Sequence, residues 1–535
     1  MIMRISKRII GVALCMLCLS ISVYAQRPNP QGMPFGGMPP MGGMMPMGGM
    51  GGFNWYGVDF AKEVPAEDDK VIKDKADSLH CYFVENIDFG DAIKIHFSGD
   101  EVQVEGATND VRIEKDGAYI NVTSDAKRPL SFELSGKTDN GSLSFNVSSP
   151  MKLLLNNLTL KSKRGDAILV GSKTAVYAVL AEGSVNELSD CPNPEMPPMM
   201  MVGPGMGGPQ GMPPAMDGNM PPMMMPQQKG EKNPADYHEM YGQRMKKPKM
   251  KEKLKIDGTF VCTGSLAISG KGTLTVQSNN KVGIKSKASM MLRAGNIITV
   301  RALSGKGVNA KDELYIHGGA LNVDCSFSSD KALTAGRNMY IRGGQVVVRA
   351  GGGESSEGIE SKFLMQIDGG TVEVAAFDDA VNAQGDLVIN GGVVRAYSII
   401  NDAFDSNCNM IINGGDVFAC GNGMPEGGLD CDDERGYRLF VNGGTVVAVG
   451  GRHSMPETQS RQPSVLWYMS DIAEGKTYSI SDVCSYKSMR AYPMGGVTLF
   501  FSSPKLKKGK SYTLNIDGKE SGKLDSLTMP FSMAR

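Results

Sequence analysis

A glycine doublet recurs six times between residues 318 and 444, in YIHGGALNV, YIRGGQVVV, QIDGGTVEV, VINGGVVRA, IINGGDVFA and FVNGGTVVA, with first glycines 25, 26, 22, 23 and 29 residues apart. The columns around it keep one character. Two positions before each doublet stand Ile316, Ile341, Ile367, Ile389, Ile412 and Val441, and two after it stand Leu321, Val346, Val372, Val394, Val417 and Val446. A second motif precedes each doublet, a Gly or Ala followed by a larger apolar residue: Gly307-Val308, Ala332-Leu333, Gly358-Ile359, Ala380-Val381, Ala403-Phe404 and Gly428-Leu429. Gly283-Ile284 and Ala167-Ile168 are upstream copies. A small residue held so strictly marks a close backbone approach, and its apolar neighbour an interior position.

Each period contains about three strand-like segments, such as DAVNA, DLVIN and VVRAY, separated by polar or glycine bends. The period is too short for a four-stranded propeller blade. It also lacks the helical periodicity of ankyrin or TPR units and the LxxLxL signature of leucine-rich repeats. What remains is an all-β parallel β-helix, a solenoid whose equivalent residues stack roughly 4.8 Å apart. The expected layout places N-terminal strands and first coils in 56–190, doublet coils in 251–455, and a β-rich cap in 456–535, where VTLFFSS and SYTLNID lack the doublet.

The remaining segments differ in composition. Residues 31–52 and 192–226 hold 18 of the 37 methionines, amid Pro and Gly that sustain neither a helix nor a central strand. A disordered tether over 26–55 and a disordered insertion over 191–250 are expected. Arg4, Lys7 and Arg8 precede the apolar run 9–23, and Val23-Tyr24-Ala25 fits cleavage after Ala25. Residues 1–25 therefore read as a signal peptide, with export to the periplasm, cell surface or medium and association with the cell envelope. No second apolar stretch is long enough for a membrane span. With 56 basic against 57 acidic residues, the net charge of −1 gives no field for nucleic-acid binding. Eight cysteines follow the signal without a CxxC pair, so zinc-ribbon and thioredoxin-type chemistry are poor fits. An oxidising compartment permits disulfides whose pairing the sequence leaves open.

Stacking turns alignment columns into chemistry. The residue after the apolar member of the second motif is Lys285, Asn309, Thr334, Glu360, Asn382, Asp405 and Asp430 in successive coils. The residue before its small member is Lys306, Lys331, Glu357, Asp379 and Asp402, preceded in the later coils by Ser356, Asp378, Asn401 and Glu426. Carboxylates about 5 Å apart repel one another unless a cation neutralises them. Oxygen donors without His or Cys favour a hard ion, and this many suit Ca²⁺ better than Mg²⁺. One to three Ca²⁺ ions are expected on subsets of Glu357, Glu360, Asp378, Asp379, Asn382, Asn401, Asp402, Asp405 and Asp430.

The chain from about Asp91 to Gly451 resembles the secreted bacterial carbohydrate-binding domain family. The likeness rests on GAYINVTSDAKRPLSFELSG, LLLNNLTLKSKRGDAILVGSKTAVYAVLAEGSVNELSD, LAISGKGTLTVQSNNKVGIKSKASMML and the doublet coils. It implies a right-handed parallel β-helix with bound calcium that binds cell-wall polysaccharides such as cellulose and polygalacturonate. The calcium-like positions carry over at Asp378–Ala380 and Asn401–Asp405, whereas GKGV (305–308) and SDKAL (329–333) depart from the GDGI-like pattern. Tyr315 and Tyr340 share a column and are candidates for an aromatic sugar platform; Arg349 and Arg395 are candidates for pairing with acidic sugars. The expected function is polysaccharide binding without cleavage. Two alternatives stand beside it. One is a calcium-dependent polysaccharide lyase with Lys362 or Arg395 as base, the other Cu(I) binding or a surface structural role for the Met-rich tracts.

Overall fold

A computed structural model describes residues 58–63, 65, 70–192, 256–480, 482–492 and 496–521. The expected signal peptide (1–25), tether (26–55) and insertion (191–250, apart from Cys191 and Pro192) lie outside these residues, and the copper reading lies outside with them. The doublet coils form three parallel ladders in a β-solenoid of about eleven turns. In one turn the chain runs through Val381–Ala383, Leu387–Ile389 and Val393–Ser398, the three segments read as DAVNA, DLVIN and VVRAY. The first ladder contains Leu387–Ile389 and its equivalents, the second Val393–Ser398, and the third Val381–Ala383. The third is a separate 12-stranded sheet. The first two are joined because the long strand Met151–Lys161 pairs with both Val176–Leu180 and Val185–Ser189.

Alternation along short strands decides which side chains enter the interior. Val346, Val372, Val394, Val417 and Val446 stack as one buried row, and Ile316, Ile341, Ile367, Ile389, Ile412 and Val441 as another. Both belong to one continuous core. The glycine doublet makes the bend between first and second ladders. Gly370 has φ +80°, and a Cβ there would lie 2.5 Å from the carbonyl oxygen of Gly344 in the preceding coil. The small-residue column has a different cause: at Gly358 a Cβ would meet Val374 Cγ1 at 2.2 Å across the core and the Ala380 oxygen at 2.5 Å.

Both ends of the stack are closed by antiparallel pairing. Ala92–Ser98 pairs with Glu101–Glu105 at one end. At the other, Thr445–Gly450 pairs with Val497–Ser502, which pairs in turn with Ser464–Met469. The eight described cysteines are all free thiols. Among the described residues no helix is long and apolar enough to cross a membrane.

The turn from the second ladder to the third varies most in length between coils and carries the charged columns. Replacing Gly370 with Ala is expected to cost about 1–3 kcal/mol, through its left-handed backbone and the stacked carbonyl. Gly423 has no atom within 4 Å of an added Cβ, so Gly423→Ala should leave the melting temperature near that of the parent. Thermal unfolding of the two variants checks the contrast.

Candidate functional site

Third-ladder strands are three residues long, and their middle residues pair in register as Lys285, Asn309, Thr334, Glu360, Asn382, Asp405 and Asp430. The sequence column is thus a physical row, with each member on the outer side of its coil. The preceding turn adds Glu357, then Asp378 and Asp379, then Asn401 and Asp402. Within this set Glu360 is 1% exposed, Asp379 5% and Asp402 6%.

Hydrogen bonds knit these groups together without satisfying them. Asn382 Nδ2 donates to Asp379 Oδ2 at 3.2 Å and to Asp405 Oδ2 at 2.9 Å. Asp379 Oδ1 accepts from the Asp402 amide at 3.0 Å, and Asp402 Oδ1 from the Gly427 amide at 2.6 Å. Asp378 accepts from Asn401 Nδ2 and the Ser355 amide, both at 2.9 Å. Ser454 Oγ donates to Asp430 Oδ1 at 3.0 Å. Three buried acceptors in this set lack any donor: Glu357 Oε2, Glu360 Oε2 and Asn382 Oδ1. A buried oxygen left unpaired costs on the order of 1–3 kcal/mol, more when charged.

Charge along the row divides it in two. At its start Lys331 reaches Glu357 Oε1 at 2.6 Å and Glu360 Oε1 at 3.8 Å, and Lys362 reaches Glu360 Oε1 at 2.5 Å. Lys331 thus serves as a counter-ion built into the chain, a contact that column reading did not anticipate. Beyond it no ammonium serves Asp379, Asp402 or Asp405 among the described residues. Burial, with Asp405 and Asp378 adding repulsion, pushes Asp379 up to about 8. Burial, with Asp430 and Glu357 nearby, pushes Asp405 up to about 7. Asp402 is raised by burial and by Asp379, and Asp430 chiefly by burial. The acids stand one or two per coil. Among the described residues no three His, Cys, Asp or Glu side chains are already gathered as a ready ligand set.

The structure places the sequence-derived sugar contacts away from the carboxylate row. Tyr315 and Tyr340 do stack, at 5.2 Å between centroids and 7° between planes. Tyr315, however, is packed beneath Tyr82 and Phe83 of the N-terminal segment and is 8% exposed. The pair is therefore a packing element at that end, not an open platform. Arg349 Nε donates to the Val58 carbonyl at 3.1 Å, and its guanidinium lies 4.3 Å from the Phe60 ring centroid, so it fastens the N-terminal segment. Arg395 pairs with Glu373 on the adjacent coil at 2.8 Å and lines a separate cleft with Tyr397, Phe418 and Tyr486. It does not face the carboxylate row.

A family model described as carbohydrate-binding domain-containing protein matches residues 99–196, 241–330 and 326–403. Over these segments, just under half of its length, the chain is similar to this family. Among curated proteins none matches the chain. A solved structure, the gadolinium derivative of a polysaccharide lyase-like protein from C. thermocellum, is 15% identical over 60% of this chain and 96% of that one, with a TM-score of 0.31. At that level the likeness says nothing about ligands. The carbohydrate-binding match includes every candidate acid from Glu357 to Asp402 and stops before Asp405 and Asp430. Beyond it lies a cleft of about 340 Å³, where Asp402, Asp405 and Asp430 meet Glu426, Asp432 and Asp433. The last two escaped the column reading because they follow the third-ladder strand, where Asp432 takes the turn position that Lys362, Gln384 and Asn407 occupy in earlier coils. The acidic run after Asp430 was the visible signal.

Asp379 and Asp405 keep protons in the fold that the unfolded chain releases near pH 4. Without metal, the folded state therefore binds more protons between about pH 4 and pH 8, and stability falls as pH rises through that window. In chelator the melting temperature should drop by several degrees from about pH 5 to about pH 8. Asp379→Asn should flatten the drop, as followed by thermal denaturation across pH.

Proposed function

We propose that this chain is an exported, non-catalytic polysaccharide-binding protein whose acidic corner takes up calcium. The observation that carries the calcium reading is the set of three buried, donorless oxygens, Glu357 Oε2, Glu360 Oε2 and Asn382 Oδ1, beside Asp379, Asp402 and Asp405. All of these donors are oxygens, many carry negative charge, and no His or Cys joins them, which is the chemistry of a hard ion of high coordination number. Glu357, Glu360, Asp379, Asn382, Asp402 and Asp405 would hold it, with Asp378, Asn401 and Asp430 at the margins. A bound cation supplies the charge that the burial of these acids otherwise lacks, and offers a bridge to carboxylates of an acidic glycan.

The non-catalytic reading rests on the two candidate bases. Lys362 is tied to Glu360 at 2.5 Å and Arg395 to Glu373 at 2.8 Å, so each is already engaged in an ion pair. A long solenoid face suits a linear polymer, and binding along it needs no deep pocket.

Calorimetry should detect Ca²⁺ binding to the purified protein, with a matching rise in melting temperature. Asp379→Asn/Asp402→Asn should weaken binding by roughly tenfold or more, since affinity follows ligand charge. No heat and no thermal shift in the parent protein would end the calcium reading. A second measurement incubates the protein with polygalacturonate and Ca²⁺. The absorbance of unsaturated product should stay flat, and steady growth would establish a lyase instead.

A further inference from the structure

Upstream on the same corner the charge is reversed. Lys281, Lys285 and Lys306 line a cleft of about 710 Å³ with Asn309, Phe327 and Asp330. Lys285 and Asn309 are members of the row that continues through Thr334 to Glu360, so basic cleft and acidic corner lie on one face. Three rungs separate Lys285 from Glu360, roughly 14 Å at the spacing of parallel strands.

The register of the coils builds this cleft. Lys281 and Lys306 occupy the turns of successive coils, and a Cβ on Gly305 would lie 2.0 Å from the Lys281 carbonyl oxygen. Only glycine lets the two turns approach so closely that their lysines face one space. The next turn is fixed by Ser328, whose hydroxyl donates to the Gly305 carbonyl at 2.7 Å. That turn presents Phe327, one of the few large apolar side chains left exposed, at 41%.

Charge balance in the cleft favours an anion. Asp330 is the only carboxylate among its lining residues. The nearby Asp257 is taken by Lys287 at 2.7 Å. Among the described residues, none of the three cleft lysines has an ion-pair partner. Lys285 is half-buried, and burial is the first cause that disfavours its ammonium, partly offset by Asp257.

We propose that this cleft is a subsite for one anionic sugar residue of a polysaccharide. Lys281, Lys285 and Lys306 take its carboxylate or sulfate, and Phe327 offers a flat apolar face to the pyranose ring. Ammoniums act as point charges and do not impose the planar geometry of a bidentate fork, so uronate and sulfate ester share this chemistry. The proposal rests on the polysaccharide-binding reading but not on calcium, because the cleft supplies its own cations.

The experiment is glycan binding by the full mature chain in chelator, which removes calcium bridging. Oligogalacturonate, a sulfated galactan oligosaccharide and a neutral cello-oligosaccharide are titrated into the parent protein, Lys285→Gln/Lys306→Gln, Phe327→Ala and Lys285→Arg. The parent is expected to bind at least one anionic series. Its affinity should fall roughly tenfold in the double Gln variant and several-fold in Phe327→Ala, and persist in Lys285→Arg, with unchanged melting temperatures. Whichever anionic series responds identifies the group as carboxylate or sulfate. Anionic binding equal in parent, double Gln and Phe327→Ala proteins overturns the subsite. Binding of the neutral series alone overturns it and leaves the polysaccharide reading standing; binding of no glycan overturns both.

Discussion

Parallel stacking in register is the constraint on which every other feature depends. Each coil hydrogen-bonds its neighbours along three ladders, and a slip of one residue would turn every core side chain outward. Register is held by unbroken interior rows, Val346 to Val446 and Ile316 to Val441, and by bends whose glycines admit no side chain against the preceding coil's carbonyl. Because the backbone fixes the spacing, any residue type repeated at one position becomes a row whether or not its members attract. The corner rows follow from this: acids that repel are held side by side because the valines within do not yield.

The same constraint explains what the sequence discloses. Periodicity made the architecture legible, and the third-ladder column from Lys285 to Asp430 is paired as the letters aligned. Columns state which residues are neighbours along the axis, but they do not state what approaches from outside the repeat. Tyr315 is covered by Tyr82 and Phe83, and Arg349 is engaged by Val58 and Phe60, because a non-repeating N-terminal segment lies across those coils. Nothing in a periodic reading locates such a segment. Lys331 lay within the column and was legible as a residue, yet its pairing with Glu357 needs side-chain reach along the axis. Asp432 and Asp433 are less legible because earlier coils put Lys362, Gln384 and Asn407, not an acid, at the position of Asp432.

Electrostatics on the corner form a graded sequence. Lysines at the first coils face open space, Lys331 and Lys362 neutralise Glu357 and Glu360 in the middle, and Asp379, Asp402 and Asp405 have one another and a few amide donors. Burial is the larger cause of their raised proton affinity, with repulsion second. Two kinds of oxygen follow. Glu357 and Glu360 each retain one bare oxygen despite an ammonium on the other, while Asp379 and Asp402 have amide donors but no positive charge. A cation serves both.

The repeat lengths carry one more consequence. Core strands keep the same few residues from coil to coil, while the extra residues of the longer periods fall largely in the charged corner, as in 351–358 and 421–428. Folding and surface chemistry are thereby assigned to different residues. A coil can lengthen its corner, exchange lysine for aspartate or acquire a new cleft without touching the valine rows that set the register. The molecule behaves as a rack of fixed pitch on which each shelf is edited separately, so its surface chemistry can drift in single-rung steps while the register of the core stays constant.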